Sequence, residues 1–150
     1  MRRFGKPPVQ GITYTPRVGV YAIITRGSQI LLTEQNQPEI ETEVQLPGGG
    51  IDPGEHPLAA LHREAYEETG WRVAPVRHFG TYRRYTYMPE YDLHAMKIAH
   101  IYLCKAVRQL GPPTEAFHTA IWTGIEDAPA RLGPAGDQYF TRKFIALNRF

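Results

Sequence analysis

The sequence contains one cysteine, Cys104, which excludes an internal disulfide and argues against a zinc site built from cysteines. Because Cys104 lies in the apolar run IYLCKAV, we predict that it is buried as a small hydrophobic residue. No apolar run reaches the roughly 18 residues that a membrane-spanning helix needs. The basic start, MRRFGKPPVQG, is not followed by the apolar segment of a secretory signal.

The sequence also lacks an excess of one charge, because its formal net charge is only +2. So small an excess does not indicate a surface for nucleic acid. We therefore expect neither nucleic acid nor a membrane as a partner. The low cysteine content fits a reducing compartment, and we expect a cytoplasmic location.

The 150 residues suffice for one domain with a proper core, and the 42% hydrophobic content indicates a folded chain. We predict a single domain over residues 1–150. Residues 1–16 are rich in proline, glycine and tyrosine, which favours an irregular N-terminal arm or a short edge strand.

Strand patterns dominate the chain on both sides of one central helix. The predicted strands are Val18 to Thr25, Gln29 to Thr33, Glu43 to Leu46, two strands around Val76–Arg83, and Ala120 to Trp122. Residues 93–107 permit helix or strand, and we favour strand because Met88 to Asp92 reads as a hairpin tip. A short helix is predicted over 126–132, and a C-terminal helix over 137–148 with Asp137 as its N-cap.

The central segment, GGIDPGEHPLAALHREAYEETGW, spans residues 49–71. Its composition predicts a helix from His56 or Pro57 to Thr69, ended by Gly70. Three glutamates share one face of this helix, because residues three and four apart are neighbours. The adjoining stripe is apolar and can dock the helix on a core. The acidic face is Glu64, Glu67 and Glu68, and the apolar stripe is Leu58, Leu61 and Ala65.

Three carboxylates on one face repel one another, and a cation removes that cost. Oxygen ligands suit hard divalent ions, which predicts Mg²⁺ with Mn²⁺ as an alternative. An acidic helix face is more often plain solvated surface. The flanking triple glycine, Arg63 and Glu55 are not needed for a solvated face, and they favour a functional site.

The pattern Gly49-x5-Glu55-x7-Arg63-Glu64-Ala65-x-Glu67-Glu68-x-Gly70-Trp71 resembles the Nudix box in every fixed position. In the hydrophobic slots, Ala65 is ordinary and Trp71 is bulkier than the usual aliphatic residue. The resemblance implies a Nudix-type α/β/α sandwich with a central mixed β-sheet. The box helix should lie on one side of the sheet and the C-terminal helix on the other.

The resemblance also implies roles for individual residues. The metal ligands would be Glu64, Glu67, Glu68 and the carbonyl of Gly48, with Gly49, Glu55 and Gly70 as structural support. The catalytic candidates are Glu64, Glu67, Arg63 and Glu115, with Glu90 and Asp92 as alternatives to Glu115. Glu64 is either a ligand or the general base, and an ion pair with Glu55 is the simpler role for Arg63. The candidate substrate contacts are Arg83, Arg84 and Tyr87, with Lys97 beside them.

The function implied by this resemblance is metal-dependent hydrolysis of a nucleoside diphosphate linked to another moiety. Such a pyrophosphatase uses activated water on a phosphoanhydride bond. Its partner would be a small nucleotide derivative, and the chain would be a monomer or a homodimer. The alternative is a nucleotide- or metal-binding sensor of the same fold without turnover.

Overall fold

Within residues 1–148, which the computed structural model describes, the strands form one eight-stranded mixed sheet. The strands are β1 (Arg2–Phe4), β2 (Thr15–Arg26), β3 (Gln29–Gln35), β4 (Glu43–Gln45), β5 (Gly48–Gly50), β6 (Trp71–Met88), β7 (Leu93–Gln109) and β8 (His118–Gly124). The helices are α1 (Pro57–Thr69), α2 (Ala128–Arg131) and α3 (Ala135–Leu147). Short 3₁₀ turns occupy Pro89–Tyr91 and Ile125–Asp127.

The strand order is β1-β6-β7-β2-β3-β4, with β5 paired to β2 and β8 paired to β3. The pairs β1–β6 and β2–β7 are parallel, and the remaining pairs are antiparallel. Strand β2 lies in the middle of the sheet. Apolar residues occupy both of its faces, as expected for a strand that is covered on two sides.

Two apolar layers cover the two faces of the sheet. On one face, Val20, Ala22 and Ile24 of β2 pack with Leu61 and Ala65 of α1. On the other face, the core joins residues of the central strands to α2 and α3: Ile23, Leu32, Ile101, Ala128, Leu132 and Phe140. The predicted α/β/α sandwich with a mixed sheet is therefore confirmed.

Most of the predicted elements are present, and the helix α1 begins and ends within the predicted limits. Residues 93–107 are strand, and the hairpin tip lies where it was predicted. At the N-terminus, β1 pairs with β6 at the edge of the sheet, and residues 5–14 that follow it form neither helix nor strand. Cys104 is buried, with 2% of its surface exposed. No helix in the described part of the chain is long and apolar enough to cross a membrane.

Three expectations were wrong in detail. The two strands predicted around Val76–Arg83 are one strand, β6, whose pairing with β7 shifts register at three places near its start. Such bulges bend a strand without ending it. The triple glycine forms the short strand β5, which pairs with β2. Leu58 is 38% exposed and lies outside the core.

The third correction concerns Asp137, which does not cap α3 because that helix begins at Ala135. Its side chain is buried and accepts hydrogen bonds from Leu46 N (3.0 Å) and the Tyr82 hydroxyl (3.1 Å). Burial raises the pKa of Asp137 to about 6. Asp137 thereby ties α3 to the segment that leads into β5.

Candidate active site

Helix α1 is held with its acidic face toward β5. Leu61 and Ala65 are buried in the core, and the His56 ring accepts a hydrogen bond from Leu58 N (3.1 Å) at the N-terminus of the helix. The helix ends at Gly70, whose φ of 76° is left-handed and whose N–H donates to Tyr66 O. These contacts fix the rotation of α1 and hence the direction of its glutamates.

Glu68 is the most buried of the three glutamates, with 8% of its surface exposed. Its Oε1 accepts a hydrogen bond from Gly48 N at 2.9 Å. Burial, together with the charges of Glu64, Glu115 and Glu67, raises the pKa of Glu68 to about 8, although the Gly48 N–H opposes the shift. Glu68 thus lies against β5, beside the predicted carbonyl ligand.

His118 is a neighbour of this site that no sequence motif singles out. Its Nε2 lies 3.8 Å from Glu68 Oε2, and its Nδ1 shares a 2.9 Å hydrogen bond with the Thr33 hydroxyl. Burial lowers the pKa of His118. The charge of Glu115 opposes that shift, and only the pairing of β3 with β8 brings the ring to the acidic cluster.

Arg63 compensates much of the acidic charge on α1. Its guanidinium makes a two-pronged contact with Glu55, through Nε at 2.8 Å and a second nitrogen at 2.9 Å. It also contacts Glu64 at 3.0 Å, Glu67 at 3.2 Å and the Gly50 carbonyl at 3.0 Å. The hydrogen bonds from Arg63 lower the pKa of Glu55 to about 2, and the contact with Glu55 raises the pKa of Arg63.

Glu64 lines a cavity of about 630 Å³ and is packed against β5. Burial raises the pKa of Glu64, while the adjacent Arg63 opposes that shift. A Cβ at Gly49 would lie 2.6 Å from the Glu64 carboxyl carbon, so only glycine leaves room for this carboxylate. The predicted supporting role of Gly49 thus has a steric basis.

Glu115 lies next to the helix although it is distant in sequence. The backbone N–H groups of Thr114 and Glu115 both donate to Glu67 O, at 2.9 Å and 2.8 Å. The charge of Glu115 acts on both Glu64 and Glu68. In contrast, Glu90 and Asp92 lie at the hairpin tip, where Asp92 accepts a hydrogen bond from the Tyr87 hydroxyl.

The carboxylates lie close together, but their oxygen atoms do not converge on one position. Among residues 1–148, no three His, Cys, Asp or Glu side chains are arranged to hold a metal ion. Arg63 bridges Glu64 and Glu67, while Glu68 turns to Gly48. The donor set is nevertheless all oxygen and fits a hard divalent ion, which would replace Arg63 as the partner of Glu64 and Glu67.

A cavity of about 630 Å³ opens beside Glu64. This volume is in the range of small-molecule sites. The walls come from β2, β5, the turn before α1, the hairpin tip and β7, and they include Arg17, Tyr21, Gly50, Tyr91 and Lys97. Of the predicted substrate contacts, Arg84 lines a smaller cavity of about 150 Å³, and Tyr87 is 46% exposed. Arg83 keeps a buried Nε without a hydrogen-bond partner in the described chain.

The contact between Gly49 and Glu64 yields a prediction for paired alanine variants. Gly49→Ala should displace the Glu64 carboxylate and lower kcat by about 10- to 100-fold, because misplacing a catalytic group by about 1 Å can cost that much. Gly50→Ala is the matched control, since a Cβ there would have no atom within 4 Å. Steady-state kinetics and thermal unfolding would be measured for both. Equal activity of the two variants would contradict the steric role.

A family model, the NUDIX domain, matches residues 14–144. A CMP-5′-(N-acetyl-N-hydroxy-3-aminopropyl)phosphonate hydrolase of Streptomyces rubellomurinus is 41% identical over 90 residues, covering 59% of this chain and 41% of the relative. An RNA pyrophosphohydrolase of Bartonella bacilliformis is 46% identical over 46 residues, covering 31% of this chain and 27% of the relative. The chain therefore spans less than half the length of these curated relatives.

Among solved structures, a NUDIX hydrolase from Nitrosomonas europaea superimposes with a TM-score of 0.74 at 21% identity. The match covers 91% of this chain and 93% of the other. At that identity the likeness concerns the fold alone. The sequence pattern, the sandwich and the family match over 14–144 agree, and the chain belongs to the Nudix hydrolase family.

Proposed function

We propose that this chain is a divalent-cation-dependent hydrolase that cleaves the diphosphate linkage between a nucleoside and another moiety. The observation that carries this proposal is the gathering of four carboxylates, Glu64, Glu67, Glu68 and Glu115, of which Glu64 lines a cavity of about 630 Å³. Such a cluster is costly without a cation, and a cation at a cavity wall can meet a phosphate group.

Glu67, Glu68 and the carbonyl of Gly48 are the proposed ligands, with Glu64 and Glu115 nearby. Gly48 is supported by its hydrogen bond to Glu68, which places its backbone next to that side chain. Mg²⁺ is the proposed ion, with Mn²⁺ as a substitute. When bound, such an ion neutralises phosphate charge and lowers the pKa of a coordinated water.

Glu64 is the proposed proton acceptor, because it is the box glutamate that lines the cavity. The water oxygen forms a bond to one phosphorus, and the bond from that phosphorus to the bridging oxygen breaks. The bridging oxygen leaves with the other phosphate, and the water proton passes to Glu64. The products are a nucleotide and a phosphate-bearing second moiety.

Arg63 is proposed as a positioning residue rather than a group that touches substrate. Its contacts with Glu55 and the Gly50 carbonyl hold the turn before α1 against β5. Its contacts with Glu64 and Glu67 keep both carboxylates in place before an ion binds. Glu55, Gly49 and Gly70 support this arrangement from the turn, the strand and the end of the helix.

The relatives support cleavage of phosphorylated nucleotide compounds. One is named as a hydrolase of a CMP-linked phosphonate, and several are named RNA pyrophosphohydrolases. Arg84 is supported as a substrate contact by its pairing with Lys97 of β7, a residue of the large cavity. None of Arg83, Arg84 and Tyr87 lines that cavity itself, and Arg83 is likewise paired with a cavity residue, Ile98.

A substrate panel with and without metal tests this proposal. The panel contains nucleoside triphosphates, nucleoside diphosphate sugars, dinucleotides, a CMP-linked phosphonate and RNA with a 5′-triphosphate. We expect at least one compound to be cleaved with Mg²⁺, and excess EDTA to abolish cleavage, as measured by chromatography of products. If no compound is cleaved while one raises the melting temperature, the sensor alternative replaces the hydrolase.

A further inference from the structure

Three cations stand side by side across three adjacent strands. Arg84 of β6 is the cross-strand partner of Lys97 of β7, and Lys97 is the partner of Arg17 of β2. Directly paired residues project from the same face of a sheet with Cβ atoms about 4.5–5.5 Å apart. We call Arg84, Lys97 and Arg17 the cationic row.

The cationic row is unfavourable as it stands. Like charges directly opposite each other on neighbouring strands destabilise a sheet. In the part of the chain that the structure describes, no carboxylate forms an ion pair with any of the three cations. Burial and the charges of Arg84 and Arg17 lower the pKa of Lys97, although Glu90 and Glu43 oppose the shift.

Two members of the row, Arg17 and Lys97, line the same cavity as the proposed proton acceptor, while Arg84 lines the smaller cavity of about 150 Å³. Arg17, Lys97 and Glu64 all line the large cavity, so its acidic and basic residues share one space. Tyr91 also lines it, and the Arg17 guanidinium lies 4.9 Å from the centre of the Tyr91 ring. That stacking holds the Arg17 side chain against the cavity wall.

We propose that the cationic row binds a second anionic group of the substrate, so that the preferred substrates are diphosphates whose second moiety carries its own phosphate or phosphonate. This assignment rests on the proposed hydrolase function, because it places the cleaved diphosphate at the glutamates. An anion at the row removes the like-charge repulsion and accepts charge-assisted hydrogen bonds. Diphosphates with a neutral second moiety, such as nucleoside diphosphate sugars, bring no second anion into contact with the row.

The direct test is calorimetric titration of sodium tripolyphosphate into the metal-free chain. Lys97→Met and Arg17→Gln should each weaken binding by about 10-fold or more, as expected for lost hydrogen bonds between charged groups. Lys105→Met is the matched control, because Lys105 is exposed on the same strand about 26 Å away at 3.3 Å per residue. It should bind tripolyphosphate as the wild type does.

Thermal unfolding tests whether the cationic row binds an anion or instead stabilises the fold. Without anion, Lys97→Met should raise the melting temperature, because it removes the middle charge of the row. Tripolyphosphate should raise the melting temperature of the wild type more than that of the variant. Wild-type affinity in both row variants overturns the proposal, and so does a fall in melting temperature on Lys97→Met. Arg17→Gln, at an exposed position, reports on binding with little risk to folding.

A pair of substrates that share one nucleoside tests the substrate class. The ratio of kcat/KM for ATP to that for ADP-glucose should fall about 10-fold in Lys97→Met and stay constant in Lys105→Met. An unchanged ratio in Lys97→Met overturns the specificity. If neither compound is cleaved, the titration still decides whether the row binds anions. If cleavage stands and the titration shows no difference, the row assignment alone is wrong.

Discussion

Replacing Glu67 by glutamine is expected to lower kcat/KM by on the order of 10³-fold, which is typical of the loss of one positioned catalytic group. The amide cannot supply the negative charge that a divalent ion requires. The fold should persist, because the Glu67 side chain is 31% exposed and its backbone carbonyl still accepts from Thr114 and Glu115. Product formation with Mg²⁺ and thermal unfolding would be measured on the same preparation.

Glu68→Gln should lose activity to a similar degree for a different local reason. Its side-chain oxygen can still accept from Gly48 N, so the contact between α1 and β5 remains. What is lost is the second oxygen and the charge, both of which the proposed metal site uses. The variant should therefore unfold at or above the melting temperature of the wild type.

Glu41→Gln provides the charge-matched control for both variants, because Glu41 is exposed in the loop between β3 and β4. It should retain wild-type kcat and wild-type dependence on Mg²⁺ concentration. Wild-type turnover by both Glu67→Gln and Glu68→Gln would overturn the assignment of the metal ligands. Loss of activity together with loss of folding would instead assign these glutamates a structural role.

Gly70→Ala adds only one methyl group but should lower the free energy of unfolding by about 2–4 kcal/mol. For a chain of this size, that corresponds to a fall in Tm of roughly 4–16 °C. Gly70 has φ of 76°, and a Cβ there would overlap the carbonyl oxygen of Gly111. The backbone cannot move aside freely, because Leu110 N and Gly111 N both donate to Gly70 O, at 2.8 Å and 3.3 Å.

Gly54→Ala isolates the conformational part of that effect. Gly54 has φ of 77°, almost the same as Gly70, but a Cβ there would have no atom within 4 Å. It should cost about 1–2 kcal/mol, the usual penalty of a left-handed residue with a side chain. Urea unfolding of both variants measures the difference. Equal losses would show that the approach of Gly111 has no energetic consequence.

The sequence predicted the elements that depend on local spacing. The helix over Pro57–Thr69 and its glycine stop follow from composition and periodicity, and the structure has them at those residues. The single strand β6 could not be predicted, because Pro75 and Gly80 look like chain breaks and only the bulged pairing with β7 carries the strand past them. The three glycines form a strand because they pair with β2, and no local sequence pattern reveals that pairing.

The site shows the same division between local and long-range information. The pairing of Arg63 with Glu55 was predictable from their spacing around a helix start. The approach of Glu115 was predicted only by family resemblance, because its backbone contact with Glu67 joins residues far apart in the sequence. His118 and the cationic row depend on the register of β3 with β8 and of β2, β6 and β7. Register is set by the assembled sheet, so local sequence patterns do not reveal these residues.

The position of the Arg63 guanidinium has a consequence for how the newly synthesised chain folds. The Arg63 side chain lies between Glu64 and Glu67 and contacts both carboxylates. The acidic cluster therefore has a positively charged partner within the chain itself. A newly synthesised chain can therefore reach its native packing before any metal has arrived. At the proposed metal site, binding of a divalent ion would replace one positive partner with another, and we expect removal of the ion to abolish activity without unfolding the protein.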